Sequence, residues 1–237
     1  MMSNQESKLY QIFRRIVACV GLFASESIAF RGSSSTLYEP DNGKFLKWME
    51  YVAMFDDTLK EHVDQVHKNQ LAHKREPAYL GSRTQNELIQ ILADLVRKEI
   101  LIELKASQFF SIVMDTTPDI SGKEQLTIVF RYLKTTGKTV EIVEHFLGFQ
   151  HCPSTDAHSI FYTAKEFMDK HDIDLKNLRG QSYDNAANMK GHKAGLQKLF
   201  RNHYPRASYT PCAPHCLNLV VEKAAANEYA NRFFGHV

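Results

Sequence analysis

Two aspartates in this chain stand where acids can do chemistry. Asp115 closes the apolar run Phe109-Phe110-Ser111-Ile112-Val113-Met114, and Asp184 ends a second expected strand, Leu178–Tyr183. Apolar and β-branched runs of this length, bounded by polar turn residues, predict strands. The first reads as a fully buried central strand. An acid at its end then needs a partner, either Lys123 or a metal, because burying a lone charge is costly. The two acids are 69 residues apart (184 − 115). If their strands are neighbours in one sheet, the carboxylates meet. Two facing carboxylates suit Mg²⁺ or Mn²⁺, hard cations that keep several waters and take one or two carboxylates from the protein. A pair of such ions supports phosphoryl transfer by activating the attacking oxygen and stabilising the leaving one, and that arrangement needs at least one more acid. A plainer use is also open: Asp184-Asn185 precedes a helix, and Asp is a good N-cap.

Other residues offer weaker chemistry. Asp119, inside Pro118-Asp119-Ile120-Ser121-Gly122, reads as a turn residue rather than a ligand. Cys212, His215 and Cys216 could begin a zinc site, but zinc wants four ligands, and only His151-Cys152 could complete the set if the fold brings them close. A Cys212–His215 nucleophile pair is disfavoured, since three residues on a turn rarely align thiolate and imidazole. Lys190, His192, Lys193, Lys198, Arg201, His203 and Arg206 form a basic cluster after the second acid. It reads equally as an exposed helix face or as a surface that contacts phosphate. Trp48 and its aromatic neighbours read as core rather than as a platform for stacking bases.

The elements that must position these residues fall into two regions. Residues 1–106 read as helical, and residues 107–237 as a mixed α/β core. Leu9, Ile12, Phe13, Ile16, Val17, Val20 and Phe23 lie on one helical face, which favours a helix from Ser7 to Ser25 over a signal-peptide core behind Arg14-Arg15. Helices follow over Lys44–Phe55 and from an Asp56 or Asp57 cap to Lys68. Thr84-Gln85-Asn86-Glu87 has the form of a capping box opening a helix that runs to Lys105. Then the period changes to strands at Phe109–Met114, Gln125–Lys134 and Thr139–Gln150. A helix capped by Ser154 or Asp156 runs to His171, followed by strand Leu178–Tyr183, a helix Lys190–His203, a short strand Ala207–Thr210 and a last helix from Leu217. Three antiparallel strands followed by strand–helix alternation imply a mixed sheet flanked by helices, in which neighbouring strand ends form one edge suited to a site.

Composition narrows the partners little. At 237 residues with 43% hydrophobic and 24% charged residues, the chain can bury a sizeable core. A net charge of +2 neither demands nor excludes nucleic acid. Four scattered cysteines favour a reducing compartment over a disulfide scaffold. No apolar run reaches the roughly 18 residues of a membrane span.

Three blocks carry a resemblance. Asp115-Thr116-Thr117-Pro118-Asp119-Ile120-Ser121, the stretch from Ser182 to Gly191, and Pro211-Cys212-Ala213-Pro214-His215-Cys216-Leu217-Asn218-Leu219 resemble successive blocks of hAT-superfamily DNA transposases. More closely, the chain resembles the transposase-derived region of zinc finger MYM-type proteins. Ile28-Ala29-Phe30-Arg31-Gly32 and the segment from Tyr79 to Ile89 fit the helical part of that group. The resemblance implies a ribonuclease H-like fold, a nuclear DNA-acting parent and a two-metal Asp-Asp-Glu site holding Mg²⁺ or Mn²⁺. In it, Asp115 matches the first acid and Asp184 the second, while Cys212 and His215 match a Cys-x-x-His block that helps position DNA. Lys190, Lys193 and Arg201 are the accompanying DNA-positioning candidates.

The chain departs from that pattern. The third acid, a Glu, follows a long helical insertion after the Cys-x-x-His block, and only 22 residues (237 − 215) follow His215 here. Glu222 and Glu228 come too early to match. Thr-Thr follows Asp115 where many relatives have Glu-Ser or Gly-Trp, and the zinc-finger module expected near the N-terminus is missing. The expectation is therefore a piece of a transposase-like protein, cut at both ends and inactive by itself. The alternative is a domesticated, non-catalytic module that binds protein or DNA.

Overall fold

The structure, a computed structural model, describes residues 4–184, 186–191 and 194–225. The chain divides into two compact units, Met1–Val96 and Arg97–Val237, each with its own buried core.

The first unit is helical: α1 (Asn4–Ser25), α2 (Gly43–Ala53), α3 (Asp57–Leu71) and the opening turns of α4 (Ser82–Ser107). Helical spacing puts Ile12, Ile16, Cys19, Val20 and Phe23 on one face of α1, and all five are buried with Phe45, Met49, Leu59 and Val63. Asp56 caps α3, its carboxylate accepting the Leu59 N–H at 2.9 Å and pairing with Arg15 at 2.6 Å. Gly43 enters α2 at φ +85°, backed against Gly32, a conformation open to glycine and costly for other residues.

Two expectations change here. α4 begins at Ser82, so Thr84 and Glu87 lie inside the helix rather than at its cap, and Glu87 pairs with Arg83 one turn back at 2.9 Å. Gln85 is what ties down the entry, its side-chain amide donating to the Leu80 carbonyl at 2.9 Å. Trp48 is not core. It is 39% exposed beside exposed Tyr51 and Phe55, because it sits on the rim of the face that buries Phe45 and Met49.

The second unit contains a five-stranded sheet in the order β3-β2-β1-β4-β5. The strands are β1 (Phe110–Pro118), β2 (Glu124–Thr136), β3 (Thr139–His151), β4 (Leu178–Tyr183) and β5 (Ser208–Pro211). β1–β2 and β2–β3 pair antiparallel as hairpins, and β1–β4 and β4–β5 pair parallel. Parallel neighbours need crossovers. Two are supplied by α5 (Ala157–Lys170), capped by Asp156, and by α6 (Ala187–Lys190) with α7 (Leu196–His203). α8 (Ala213–Ala225) follows β5.

β1 is central, but its burial alternates. Phe110, Ile112 and Met114 are buried, whereas Ser111 and Val113 are half-buried. The buried side meets Leu126, Ile128 and Phe130 of β2, Phe161 and Met168 of α5, Leu196 and Phe200 of α7, and Ile100 and Leu104 of α4. The other face keeps Leu133, Ile142, Phe146 and Phe149 exposed. So the sheet has one covered face and one open one, and a period-2 strand on it must alternate. In place of one helix from Lys190 to His203, α6 ends at Lys190 and a separate α7 starts at Leu196, capped by Gly195 in an extended conformation. The last helix starts at Ala213, four residues before the expected Leu217. Pro214 fits its first turn, where the missing N–H would have no intrahelical partner.

Candidate carboxylate and metal site

The site is built by register. β4 lies beside β1 in parallel, with Ser111 opposite Gly180, Ile112 opposite Gln181 and Val113 opposite Ser182. Each pair is offset by 69 residues, the offset that separates Asp115 from Asp184. Carried two positions on, this register sets the acids side by side, Asp184 just past the end of β4 and Asp115 within β1, which does not stop at Met114 as expected but continues to Pro118 because β2 goes on pairing with it. β5 extends the row: Tyr183 pairs with Pro211, and the Cys212 N–H donates to the Tyr183 carbonyl at 2.9 Å. Asp115, Asp184 and Cys212 therefore occupy equivalent positions on three adjacent parallel strands. By alternation all three belong to the open face of the sheet. Four residues before the acids, near the start of both strands, glycine lets β1 and β4 close up, since a Cβ on Gly180 would stand 2.5 Å from the Ser111 hydroxyl oxygen.

Neither acid is deeply buried. Asp115 is exposed and Asp184 half-buried. This corrects the expectation of a buried charge in need of a partner: water solvates Asp115, and among the described residues no ion pair joins it to Lys123. Each carboxylate is oriented by the backbone that follows it. Asp115 accepts the Thr116 N–H at 2.9 Å, and Asp184 accepts the Ala186 N–H at 3.2 Å in the turn into α6. Asp184 is thus a turn residue and an edge carboxylate at once.

Gln181 and Tyr209, which the sequence reading passed over, hold this edge. Gln181 is buried on the covered face and donates to the Ala207 carbonyl at 2.9 Å and the Gln197 carbonyl at 3.3 Å, while accepting the Tyr183 hydroxyl. It ties β4 to α7 and to the entry of β5. The Tyr209 hydroxyl donates to the Asp184 carbonyl at 3.3 Å. Burial pushes that hydroxyl's pKa up, aided by the negative charge of Asp184. The available signal for the first was its place two residues before Tyr183, on the same face of the strand. Tyr209 carried none.

The remaining candidates scatter. His215 and Cys216 lie in the first turn of α8, both half-buried, with the Cys216 N–H donating to the Cys212 carbonyl at 3.0 Å. All four cysteines are free thiols. His151 and Cys152 end β3, at the far side of the sheet from β5. Four strand spacings, about 19 Å, separate them from Cys212, so they cannot complete a zinc set with it. Among the described residues no three His, Cys, Asp or Glu side chains converge on one point. Glu222 is exposed on α8, and Glu228 lies outside the described residues. Asp119 is the hairpin turn residue, accepting from Ser121 N–H at 2.8 Å, Ser121 hydroxyl at 2.6 Å, Lys123 N–H at 3.0 Å and Gln125 amide at 3.0 Å. Lys190 is exposed at the end of α6, and Lys193 lies outside the described residues, as does His192. Arg201 sits near the end of α7, which runs back toward the start of β4.

The donor set fits a hard divalent cation: two solvent-facing carboxylates with room for water ligands. Asp115 and Asp184 would hold such an ion, which would supply Lewis-acid stabilisation of phosphate oxygens.

Comparison with known proteins agrees with this architecture. The DUF4371 family, described as the ZMYM1/FAM200 RNase-like domain, matches residues 1–195, a span that includes Asp115 and Asp184 and stops before Cys212. A human protein named 52 kDa repressor of the inhibitor of the protein kinase is 25% identical over 191 residues, covering 79% of this chain and 23% of that protein. Its mouse counterpart matches to the same extent. The chain thus spans about a quarter of the length of these curated relatives. No helix among the described residues is long and apolar enough to cross a membrane. The chain, with its mixed sheet and helical N-terminal region, belongs to the ZMYM1/FAM200 RNase-like domain family.

Proposed function

We propose that this chain is part of an hAT-transposase-derived nuclear protein that retains the first two acids of a metal-dependent DNA-cleaving site and does not cleave or join DNA on its own. The observation that carries the reading is the shared 69-residue offset, which aligns Asp115 with Asp184 on adjacent parallel strands. Mg²⁺ or Mn²⁺ held by the pair has two protein carboxylates. A two-ion site requires more, and losing one member of a constellation that acts as a unit costs orders of magnitude in rate. Cys212 and His215 border the pair and position DNA in the parent activity. Titration of the chain with Mn²⁺ by calorimetry gives binding that Asp115→Asn abolishes, while a nicked-plasmid assay shows no cleavage. Metal-dependent nicking abolished by Asp184→Ala overturns the inactive reading.

A second reading is a domesticated module that binds protein or DNA without catalysis. It is favoured by the repressor names of the curated relatives. Under it, the chain binds no Mn²⁺ at Asp115, and Asp115→Asn raises stability slightly by removing one of two neighbouring like charges.

A further inference from the structure

Two stretches singled out in the sequence, residues 28–32 and 79–89, take no part in the carboxylate site. Both lie in the helical unit, and both contribute to the wall of one hollow of about 390 Å³. Backbone contacts build it. The loop after α1 is pinned to the entry of α2, with the Phe45 N–H donating to the Phe30 carbonyl at 3.0 Å and the Ser34 N–H to the Asp41 carbonyl at 3.1 Å. Glycine permits this approach, since a Cβ on Gly32 would stand 2.0 Å from the Asp41 carbonyl oxygen. Buried Leu37, Leu46, Val66 and Leu80 and half-buried Phe30 give the hollow apolar walls.

Two polar side chains interrupt those walls. Asn42 is 2% exposed and Gln85 is 4% exposed. Their amide nitrogens are engaged: Asn42 Nδ2 donates to the Thr36 carbonyl at 3.1 Å and to the Glu50 carboxylate at 2.7 Å, and Gln85 Nε2 donates to the Leu80 carbonyl at 2.9 Å. Their amide oxygens are not. Among the described residues three buried side-chain polar atoms lack a partner, and two of them are Asn42 Oδ1 and Gln85 Oε1, on residues of this one wall. A buried amide oxygen without a donor is costly, so two of them at one cavity call for a donor from outside the chain. A bridging water takes up about 30 Å³, a small fraction of this hollow, whose size is that of a small-molecule site. Charge sets the ligand's character. Arg31 on the wall disfavours a cation, and the Glu50 carboxylate beside Asn42 disfavours an anion.

We propose that this hollow is a binding site for an uncharged small molecule with an apolar body and a hydrogen-bond donor group such as a primary amide, the donor hydrogens going to Asn42 Oδ1 and Gln85 Oε1. The site uses residues of the first unit alone and is independent of the carboxylate pair.

The test is a ¹⁵N–¹H correlation titration of the whole chain with benzamide as the probe, beside methyl benzoate, which is similar in size and more apolar but has no N–H. Benzamide is expected to give saturable shifts centred on the amides of residues 30–35, 42 and 80–85, with half-saturation at ~1 mM, the range for so small a ligand. Methyl benzoate should bind roughly tenfold more weakly, since it leaves both buried oxygens without a donor. Gln85→Met keeps the length of the side chain and removes its oxygen. It should shrink the ratio between the two probes several-fold, with unchanged far-UV circular dichroism verifying its fold. The comparison of probes on the unsubstituted chain decides the proposal even where that variant fails to fold. Benzamide shifts that do not saturate or that centre on other residues overturn it, as does methyl benzoate bound as tightly as benzamide. An unchanged ratio in folded Gln85→Met overturns the assignment of its oxygen as an acceptor.

Discussion

The two ends of the parallel strands in one sheet have opposite chemistry. Toward the carboxyl side of β1 and just past the ends of β4 and β5 stand Asp115, Asp184 and Cys212, in one row on the open face. At the amino ends, around the start of β4, stand Lys176, Arg179, Arg201 and Arg206. The first set is aligned by strand register, which copies a one-dimensional offset into a lateral contact. The second is gathered by helix direction, because α7 runs antiparallel to β4 and returns its last turn to the strand's beginning. Register makes a site that is short-ranged and geometrically strict. The return of a helix makes a broad surface with no fixed focus. The former suits a cation.

Both ends depend on Gln181, which gives the largest expected effect. Gln181→Leu removes the donor to the Ala207 carbonyl and the acceptor for the Tyr183 hydroxyl, leaving both buried without partners. It should cost about 3 kcal/mol in urea denaturation. A loss under about 1 kcal/mol shows that apolar packing, not this side chain, holds β4 to β5. Gly180→Val tests the close approach of β1 and β4 on which the register rests. Its side chain enters the space of the Ser111 hydroxyl, so it should cost about 1–3 kcal/mol in urea denaturation. A loss near zero shows that the two strands are not packed this closely in solution.

A smaller effect is expected from Asp115→Asn without metal. Removing one of two adjacent like charges should raise stability by no more than about 1 kcal/mol, the size of a Coulomb term at ~4 Å in water. A fall in stability shows that the Asp115 carboxylate has a favourable partner instead. The smallest effect concerns Asp119, at the hairpin beside the carboxylate end. Hydrogen bonds from the Ser121 hydroxyl and the Lys123 N–H, then from Gln125, hold its carboxyl at about 2. A folded-state value below the unfolded one stabilises the hairpin above the ordinary carboxylate range, and that contribution is lost as pH falls toward about 2. A carbon-detected NMR titration should give a midpoint near that value. A midpoint close to 4, the ordinary carboxylate value, means the turn hydrogen bonds are not formed in solution.

Much of the carboxylate end was legible in the sequence because it rests on local pattern. The strand Leu178–Tyr183 has the expected bounds although only Leu178 and Tyr183 in it are large and apolar, and matching the register to the spacing of the acids needed only the neighbour relation of β1 and β4. Burial was less legible. Phe109 to Met114 is apolar at nearly every position, yet one face of β1 is only half-covered, since coverage depends on which helices return to the sheet. Trp48 failed for the same reason: composition marks an aromatic as core-forming, and its position at the edge of the α2 stripe decides otherwise. Lys190 to Arg206 reads as one basic cluster along the chain. The structure puts Lys190 at the end of α6 and Arg201 near the end of a separate helix, α7, so the two do not share one helix face. Pro211 and Pro214 masked the start of α8, because proline signals an ending and a first turn alike.

The most direct test of the account is ¹⁵N–¹H correlation NMR with substoichiometric Mn²⁺, whose unpaired electrons broaden nearby amides. The account predicts that amides of residues 114–117, 182–184 and 212 vanish first, that those of Lys176 and Arg201 persist, and that Asp115→Asn removes the effect. Broadening centred elsewhere, or an unchanged pattern in Asp115→Asn, would contradict the assignment of Asp115 and Asp184 as the cation-holding pair.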